Sequence, residues 1–221
     1  MNGKDGSQKA ETGYLGTGGH ARVVVASLEA LGRWEIVGLL DSKTNQTGEL
    51  IEGYPVIGSC DDLGKIKQQK IQQAVIAVGD NEPRERFYLR LLKEGFTIPT
   101  VVHPTAYVDP SAAIGNGCLI CMGALIGPHV RIGANTIINS GTIIEHEVSI
   151  GDNAHIAPGC RIAGRVTVGR NSFIGIGTSV IDKIKIGRNA TIGAGSVVVS
   201  DILDSTVAYG VPAKVTKKET Y

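Results

Sequence analysis

The chain has 221 residues, a formal net charge of +1, 42% hydrophobic and 19% charged residues. No basic or acidic excess points to nucleic acid or an anionic membrane, and no apolar run approaches the 18 residues that a membrane-spanning helix needs. Thirty glycines against 5% aromatics predict many tight turns around an aliphatic core, in one large domain or two small ones.

The N-terminal stretch MNGKDGSQKAETGY is polar and lacks an apolar signal core, which points to a cytoplasmic protein with residues 1–10 disordered. From Tyr14, YLGTGGHARVVVASLEALG reads as a strand end, a glycine turn and a helix. Gly16, Gly18 and Ala21 fit G-x-G-x-x-G/A, a pattern in which backbone N–H groups at a helix N-terminus can hold phosphate. EIVGLLD ends a second strand at Asp41, about 20 residues on, where an acid can meet a ribose. KAETGYL is polar for a first strand, so it is expected to be short or at a sheet edge. QQAVIAVGDN reads as a further strand and turn, and EPRERFYLRLLKEG as a helix with Pro83 near its start. Residues 1–101 thus read as a small Rossmann-like α/β (βαβ) domain.

From residue 102 to 203 the punctuation changes. Stepping by six from Val102 to Val198 meets Val or Ile at all 17 positions, and the residue four later is small or β-branched each time. A helix cannot keep a six-residue stripe in register, whereas β-branched residues and glycines suit short strands and turns. The fourth residues sort by threes into columns. One reads Gly117, Asn135, Asn153, Asn171, Asn189; the next reads Gly123, Gly141, Gly159, Gly177, Gly195. Gly and Asn accept a left-handed backbone, so the full repeat is 18 residues. This is an all-β parallel β-helix of hexapeptide repeats, a triangular prism on the order of 27 Å long at the usual strand spacing. Residues 204–221 form a C-terminal tail containing YGVPAK.

The third column reads His129, Glu147, Arg165, Lys183, Asp201. Turn geometry alone favours Asn or Gly, so ionisable residues set this corner apart. His146 lies on it between Glu145 and Glu147. Solvated charge explains much of any exposed column, but a histidine beside an acid is poised for proton transfer near neutral pH, and His146 is read as the catalytic base. Of the four cysteines, Cys118 and Cys121 have CxxC spacing, yet neither a second pair nor a nearby histidine completes a zinc site. With Cys60 and Cys160 they are read as small buried thiols, and no metal is expected.

GTGGHARVV, AVGDNEPRER, HPTA at 103–106, NSGTIIEHEVSIGDNAHIAPG and YGVPAK together resemble the left-handed β-helix sugar acetyltransferases of the bacillosamine type. Relatives in that family acetylate perosamine and other nucleotide-linked 4-amino sugars, or O-acetylate sialic acid. The resemblance covers all but about ten residues at each end. It implies left-handed coils, homotrimers with active sites between neighbouring prisms, acetyl-CoA along the prism groove, and a nucleotide-linked amino sugar on the N-terminal domain. By the same resemblance His146 is the general base and Glu147 orients it, while Asn139 positions the sugar. His155 lies near the thioester, Gly164 offers its N–H to the thioester oxygen, and Ile176 and Gly195 line the path of the cofactor. Gly18, Gly19, His20, Asp41, Gly79 and Asn81 contact the nucleotide sugar. Many relatives carry two acids after the second strand; this chain has Asp41 followed by Ser42.

Acyl transfer from a thioester needs a neutral nucleophile, a base and donors for the developing oxyanion. No serine or cysteine forms a recognisable triad with a histidine, so direct transfer is expected. Four alternatives stay open: O-acetylation of sialic acid, a zinc hydratase on the same prism, a non-catalytic trimeric scaffold, and a nicotinamide dehydrogenase suggested by the glycine turn.

Overall fold

Hexapeptide repeats build a prism because each six-residue unit supplies one inward β-branched residue and one turn. In the computed structural model, which describes residues 10–16, 18–41, 48–59, 61–68 and 71–218, seventeen two-residue strands run from Val101–Val102 to Val197–Val198. Each ends on the Val or Ile of the six-residue stripe. Ser42 and Cys60 lie outside the described residues. The strands are numbered β6 to β22 in chain order. They stack in parallel with an 18-residue register, as in Leu125↔Ile143 and Ile143↔Arg161.

Three faces result. The first stacks β6, β9, β12, β15, β18 and β21; the second β7, β10, β13, β16, β19 and β22; the third β8, β11, β14, β17 and β20. Ile120, Ile126, Ile138, Ile156, Ile174 and Ile192 fill the prism at zero exposure. A C-terminal hairpin, β23 (Thr206–Gly210) and β24 (Ala213–Lys218), extends the first face beyond β21. The coils are those of a left-handed β-helix.

All three corners make the same backbone demand. The glycine corner and the asparagine corner have positive φ, as expected. So do His129 (57°), Glu147 (59°), Arg165 (60°) and Lys183 (61°). The ionisable residues therefore set this corner apart by side chain, while its turn geometry is that of the other two. The left-handed conformation is required there too, and is held by residues for which it costs on the order of 1 kcal/mol each or more.

The N-terminal sheet has strand order β3-β4-β2-β1-β5. Its strands are β1 (Ala10–Leu15), β2 (Trp34–Asp41), β3 (Leu50–Ile51), β4 (Tyr54–Ser59) and β5 (Gln73–Ile76). All pairings are parallel except β3 with β4. The polar first strand is neither short nor at an edge. β1 spans six residues between β2 and β5, because small residues suit its tightly packed position. Thr12 is fully buried with its hydroxyl on the Gly13 carbonyl, and Gly13 sits against the Gly38 carbonyl. Among the described residues three helices follow the strands: α1 (Gly19–Leu31), α2 (Leu63–Gln68) and α3 (Asn81–Lys93).

α1 joins the two parts of the molecule. Its buried Ala21, Val24, Val25 and Leu28 pack with Leu39, Val56 and Val75 of the sheet and with Val101, Leu119, Cys121 and Ile137 of the prism. Outward residues on the first face of the prism are therefore apolar where α1 covers them. Higher on the same face they become His155 and Phe173.

Candidate active site

His146 lies in the turn between β13 (Ile143–Ile144) and β14 (Ser149–Ile150), at the corner of the second and third faces. Its Nδ1 is 3.1 Å from Glu147 Oε2, which also accepts from Arg165 Nε at 3.1 Å. Arg165 first, then His146, holds the Glu147 carboxyl below its usual range, so Glu147 is an anion at neutral pH. A carboxylate only accepts, so His146 donates its Nδ1–H to Glu147, and Nε2 lies on the far side of the ring. Nε2 has no hydrogen-bond partner among the described residues.

Gly164, one coil above, explains where the ring lies. A Cβ there would fall 2.5 Å from His146 Nε2 and 2.6 Å from Cε1. The imidazole therefore rests on a surface that only glycine leaves clear. Gly164 N–H donates to no carbonyl in the ladder, which runs instead through Arg165 N–H to the His146 carbonyl and Lys183 N–H to the Gly164 carbonyl. The equivalent residue one coil below His146 is Pro128, which has no N–H to lose. An uncommitted backbone donor thus adjoins an uncommitted imidazole nitrogen.

A second group of predicted residues gathers where the N-terminal domain meets the first face. His155, the first residue of β15 (His155–Ile156), is buried, and its Nδ1 lies 3.0 Å from the Gly79 carbonyl. Its Nε2 is 3.2 Å from Asn139 Nδ2, and Asn139 Oδ1 accepts from Ser140 N–H at 2.8 Å. The His155 ring stands edge-on to Phe173 at 5.2 Å and lies 6.1 Å from the His20 ring. Burial, then the Arg84 cation, pulls His155 down to about 4, and the same two causes bring His20 to about 4. Both are neutral at neutral pH. His20 Nε2 is buried without a hydrogen-bond partner among the described residues.

Beside this joint a pocket of about 450 Å³ opens at the carboxyl ends of β1, β2 and β5. Strand order reverses at β1, so this is the switch-point crevice where open α/β sheets bind ligands. Gly16, Gly18, Gly19, His20, Asp41 and Gly79 line it. Gly16 is required by the chain itself, since a Cβ there would lie 2.6 Å from the Ala77 carbonyl oxygen. Gly18 and Gly19 differ. Added side chains would meet nothing within 4 Å, so their smallness leaves open space over the N-terminus of α1. Asp41, buried at the end of β2, forms part of the wall.

The predicted residues therefore fall into separate places. His146, Glu147 and Gly164 share one corner. His20, Gly79, Asn81, Asn139 and His155 meet at the joint. Ile176, exposed, and Gly195 lie on the glycine corner between the first and second faces. Asn81 is occupied as a clasp, donating to the Asn171 and Ser172 carbonyls and accepting from Arg84 and Asn153. Arg84, missed in the sequence, is the largest fully buried side chain among the described residues. It lies seven residues before buried Leu91 on α3, so a charge on the apolar face of that helix was the available signal. Burial pushes Cys118 and Cys160 up to about 11 and Cys121 up to about 12, so these thiols are protonated and inert. Among the described residues no three His, Cys, Asp or Glu side chains gather as metal ligands, and no helix is long and apolar enough to cross a membrane.

A prism of hexapeptide coils with an exposed histidine–glutamate pair on one corner is the architecture of the hexapeptide transferases. Residues 14–91 match the PglD N-terminal domain, and residues 129–164 and 165–200 each match the bacterial transferase hexapeptide (six repeats). A histidine-replaced GDP-perosamine N-acetyltransferase from Caulobacter crescentus, solved with CoA and GDP-perosamine, is 35% identical with a TM-score of 0.90, over 94% of this chain and 97% of that one. The acetyltransferase domain of PglB from Neisseria gonorrhoeae, solved with acetyl coenzyme A, is 30% identical with a TM-score of 0.88, over 95% and 100%. WeeI from Acinetobacter baumannii, 21% identical with a TM-score of 0.68 over 93% and 99%, shares the fold. No curated protein sequence matches the chain significantly. The chain belongs to the hexapeptide-repeat sugar acetyltransferases.

Proposed function

We propose that the protein transfers the acetyl group of acetyl-CoA to the 4-amino group of a nucleotide-linked 4-amino-4,6-dideoxy sugar, with His146 as general base. The observation that carries this reading is the His146 pair. Glu147 engages Nδ1, and Nε2 is left open beside the uncommitted N–H of Gly164. The amine nitrogen attacks the thioester carbonyl carbon as its proton passes to Nε2. Gly164 N–H donates to the oxygen that gains charge, and Glu147 stabilises the imidazolium. The C–S bond then breaks, and the thiolate leaves with the proton that the imidazolium returns. In this reading residues 1–101 hold the nucleotide sugar, with phosphate over Gly18 and Gly19 and the nucleoside toward Asp41. Residues 102–203 hold the acyl donor, with Ile176 and Gly195 along its path.

The separation of the two groups supports a homotrimer. The base stands on the corner opposite the first face, whereas the crevice joins that face, so a second copy is needed to bring a base to a sugar. The second face, next to His146, exposes Tyr107 and Leu125, with Met122 exposed at its edge, as an interface requires. The two Caulobacter and Neisseria relatives, solved with CoA and acetyl coenzyme A, support the donor, and the bound GDP-perosamine supports the class of acceptor.

The test is thiol release from acetyl-CoA with UDP-, dTDP- and GDP-linked 4-amino-6-deoxy sugars, and with free and CMP-linked sialic acid. Turnover with one amino sugar, lost in His146→Ala, is expected. Turnover with sialic acid alone would replace N-acetylation by O-acetylation, and silence across the panel would favour the scaffold.

A further inference from the structure

Arg84 is a buried cation whose five hydrogen bonds all go to uncharged oxygens. Nε donates to the Asn135 carbonyl at 3.1 Å and Nη1 to the Gly79 carbonyl at 2.6 Å. Nη2 donates to the Asn153 carbonyl at 2.9 Å, the Ala154 carbonyl at 3.2 Å and Asn81 Oδ1 at 2.8 Å. Burying a guanidinium is costly, and an apolar side chain of similar length could fill the same joint. What it could not do is hold backbone carbonyls from two parts of the fold in one rigid fork.

The Gly79 carbonyl is the pivot. It accepts from Arg84 Nη1 and also from His155 Nδ1, which uses both of its lone pairs. His155 must then carry its proton on Nδ1 and present Nε2 as an acceptor. Asn139 meets that acceptor with Nδ2, and its amide cannot be turned around, because Oδ1 is held by Ser140 N–H. One hydrogen of the Asn139 amide is left uncommitted. Arg84 also grips the carbonyl of Ala154, immediately before His155, so both ends of the His155–Gly79 bond are set by one side chain.

We propose that Arg84 is a positioning residue: it fixes His155 as the Nδ1–H tautomer and so makes Asn139 present a hydrogen-bond donor, never an acceptor, to the substrate. The substrate atom facing Asn139 is then a hydroxyl or carbonyl oxygen. This rests on the reading above that Asn139 lines the substrate site.

The experiment is long-range proton–nitrogen NMR on the full-length protein with ¹⁵N-labelled histidine, assigned with His155→Gln. In the wild type, His155 is expected to show a protonated Nδ1 and an unprotonated, hydrogen-bonded Nε2. In Arg84→Lys, which keeps a charge but cannot reach Gly79 and the prism together, the tautomers are expected to mix. The acceptor KM should rise about tenfold, the worth of one hydrogen bond, with a smaller change in kcat. A wild-type His155 protonated on Nε2 overturns the proposal, as does an Arg84→Lys protein with unchanged tautomer and KM. Arg84→Gln serves if Arg84→Lys does not fold, and the wild-type spectrum needs no variant. The tautomer is read without turnover, so a protein inactive on every acceptor would sink the acetyltransferase reading and leave the tautomer assignment standing.

Discussion

His146 and His155 are nine residues apart and meet opposite environments. His146 stands half exposed on a corner, with a carboxylate on one nitrogen and, among the described residues, no partner on the other. His155 is buried, with a carbonyl on one nitrogen and an amide on the other. The first has one ring nitrogen without a hydrogen-bond partner among the described residues. The second has no free lone pair and is held neutral by burial and the Arg84 cation. In the proposed reading, partners and solvent decide which histidine serves as the base, while the residue type is the same.

The sharpest way to break this contrast is to exchange the roles. His146→Ala should lower acetyl transfer by about 10²–10⁴-fold, the usual worth of a general base, with the melting temperature nearly unchanged. Thiol release and a thermal melt measure the two. If His155→Gln abolished turnover while His146→Ala kept it, the assignment would be reversed.

Gly164→Ala comes next. Its Cβ must displace the His146 ring, and a misplacement of about 1 Å can cost roughly 10²-fold in rate. Gly164 is buried beneath the ring, but the His146 side chain is half exposed and can swing outward, so stability should hold. An active Gly164→Ala enzyme would mean that the ring position is unimportant.

Acid should loosen the joint. His20 and His155 have folded pKa values near 4, below the ordinary 6.5, so between these values the unfolded chain binds protons that the folded one does not. Stability is therefore full above pH 6.5 and falls as pH drops toward 4, by up to about 1.4 kcal/mol per pH unit for each histidine. Denaturant titrations from pH 7 to 4 measure the slope, and His155→Gln should reduce it. A flat profile would show that the joint opens to water.

The smallest expected effect is at Glu147. Glu147→Gln keeps an acceptor for His146 Nδ1 and removes the charge that stabilises the imidazolium. Turnover should fall several-fold, well short of the His146→Ala loss, because the pair is exposed to solvent. A loss as deep as His146→Ala would assign Glu147 a direct part in the proton transfer.

The prism was legible because its signal repeats. Seventeen Val or Ile at a period of six, with Gly and Asn at a period of eighteen, leave one architecture, and the strands of the structure fall on that stripe. The head domain was legible in part. Gly16 and Asp41 sit where the glycine turn and strand end predicted, while the β3–β4 hairpin and α2 were not read at all. The interior place of β1 was misjudged because Thr12 and Gly13 look polar and small in sequence, although small residues are what a tightly packed strand interior accepts.

By itself the sequence determined the repeat, the corner on which His146 stands and the acid beside it, since local periodicity is a property of the chain alone. The tertiary structure decided the rest. It laid His146 on Gly164 across 18 residues, brought Gly79 to His155 across 76, and buried Arg84 between them. Desolvation and hydrogen-bond partners exist only once distant segments meet, so the proton states of His20 and His155 could be read only after folding.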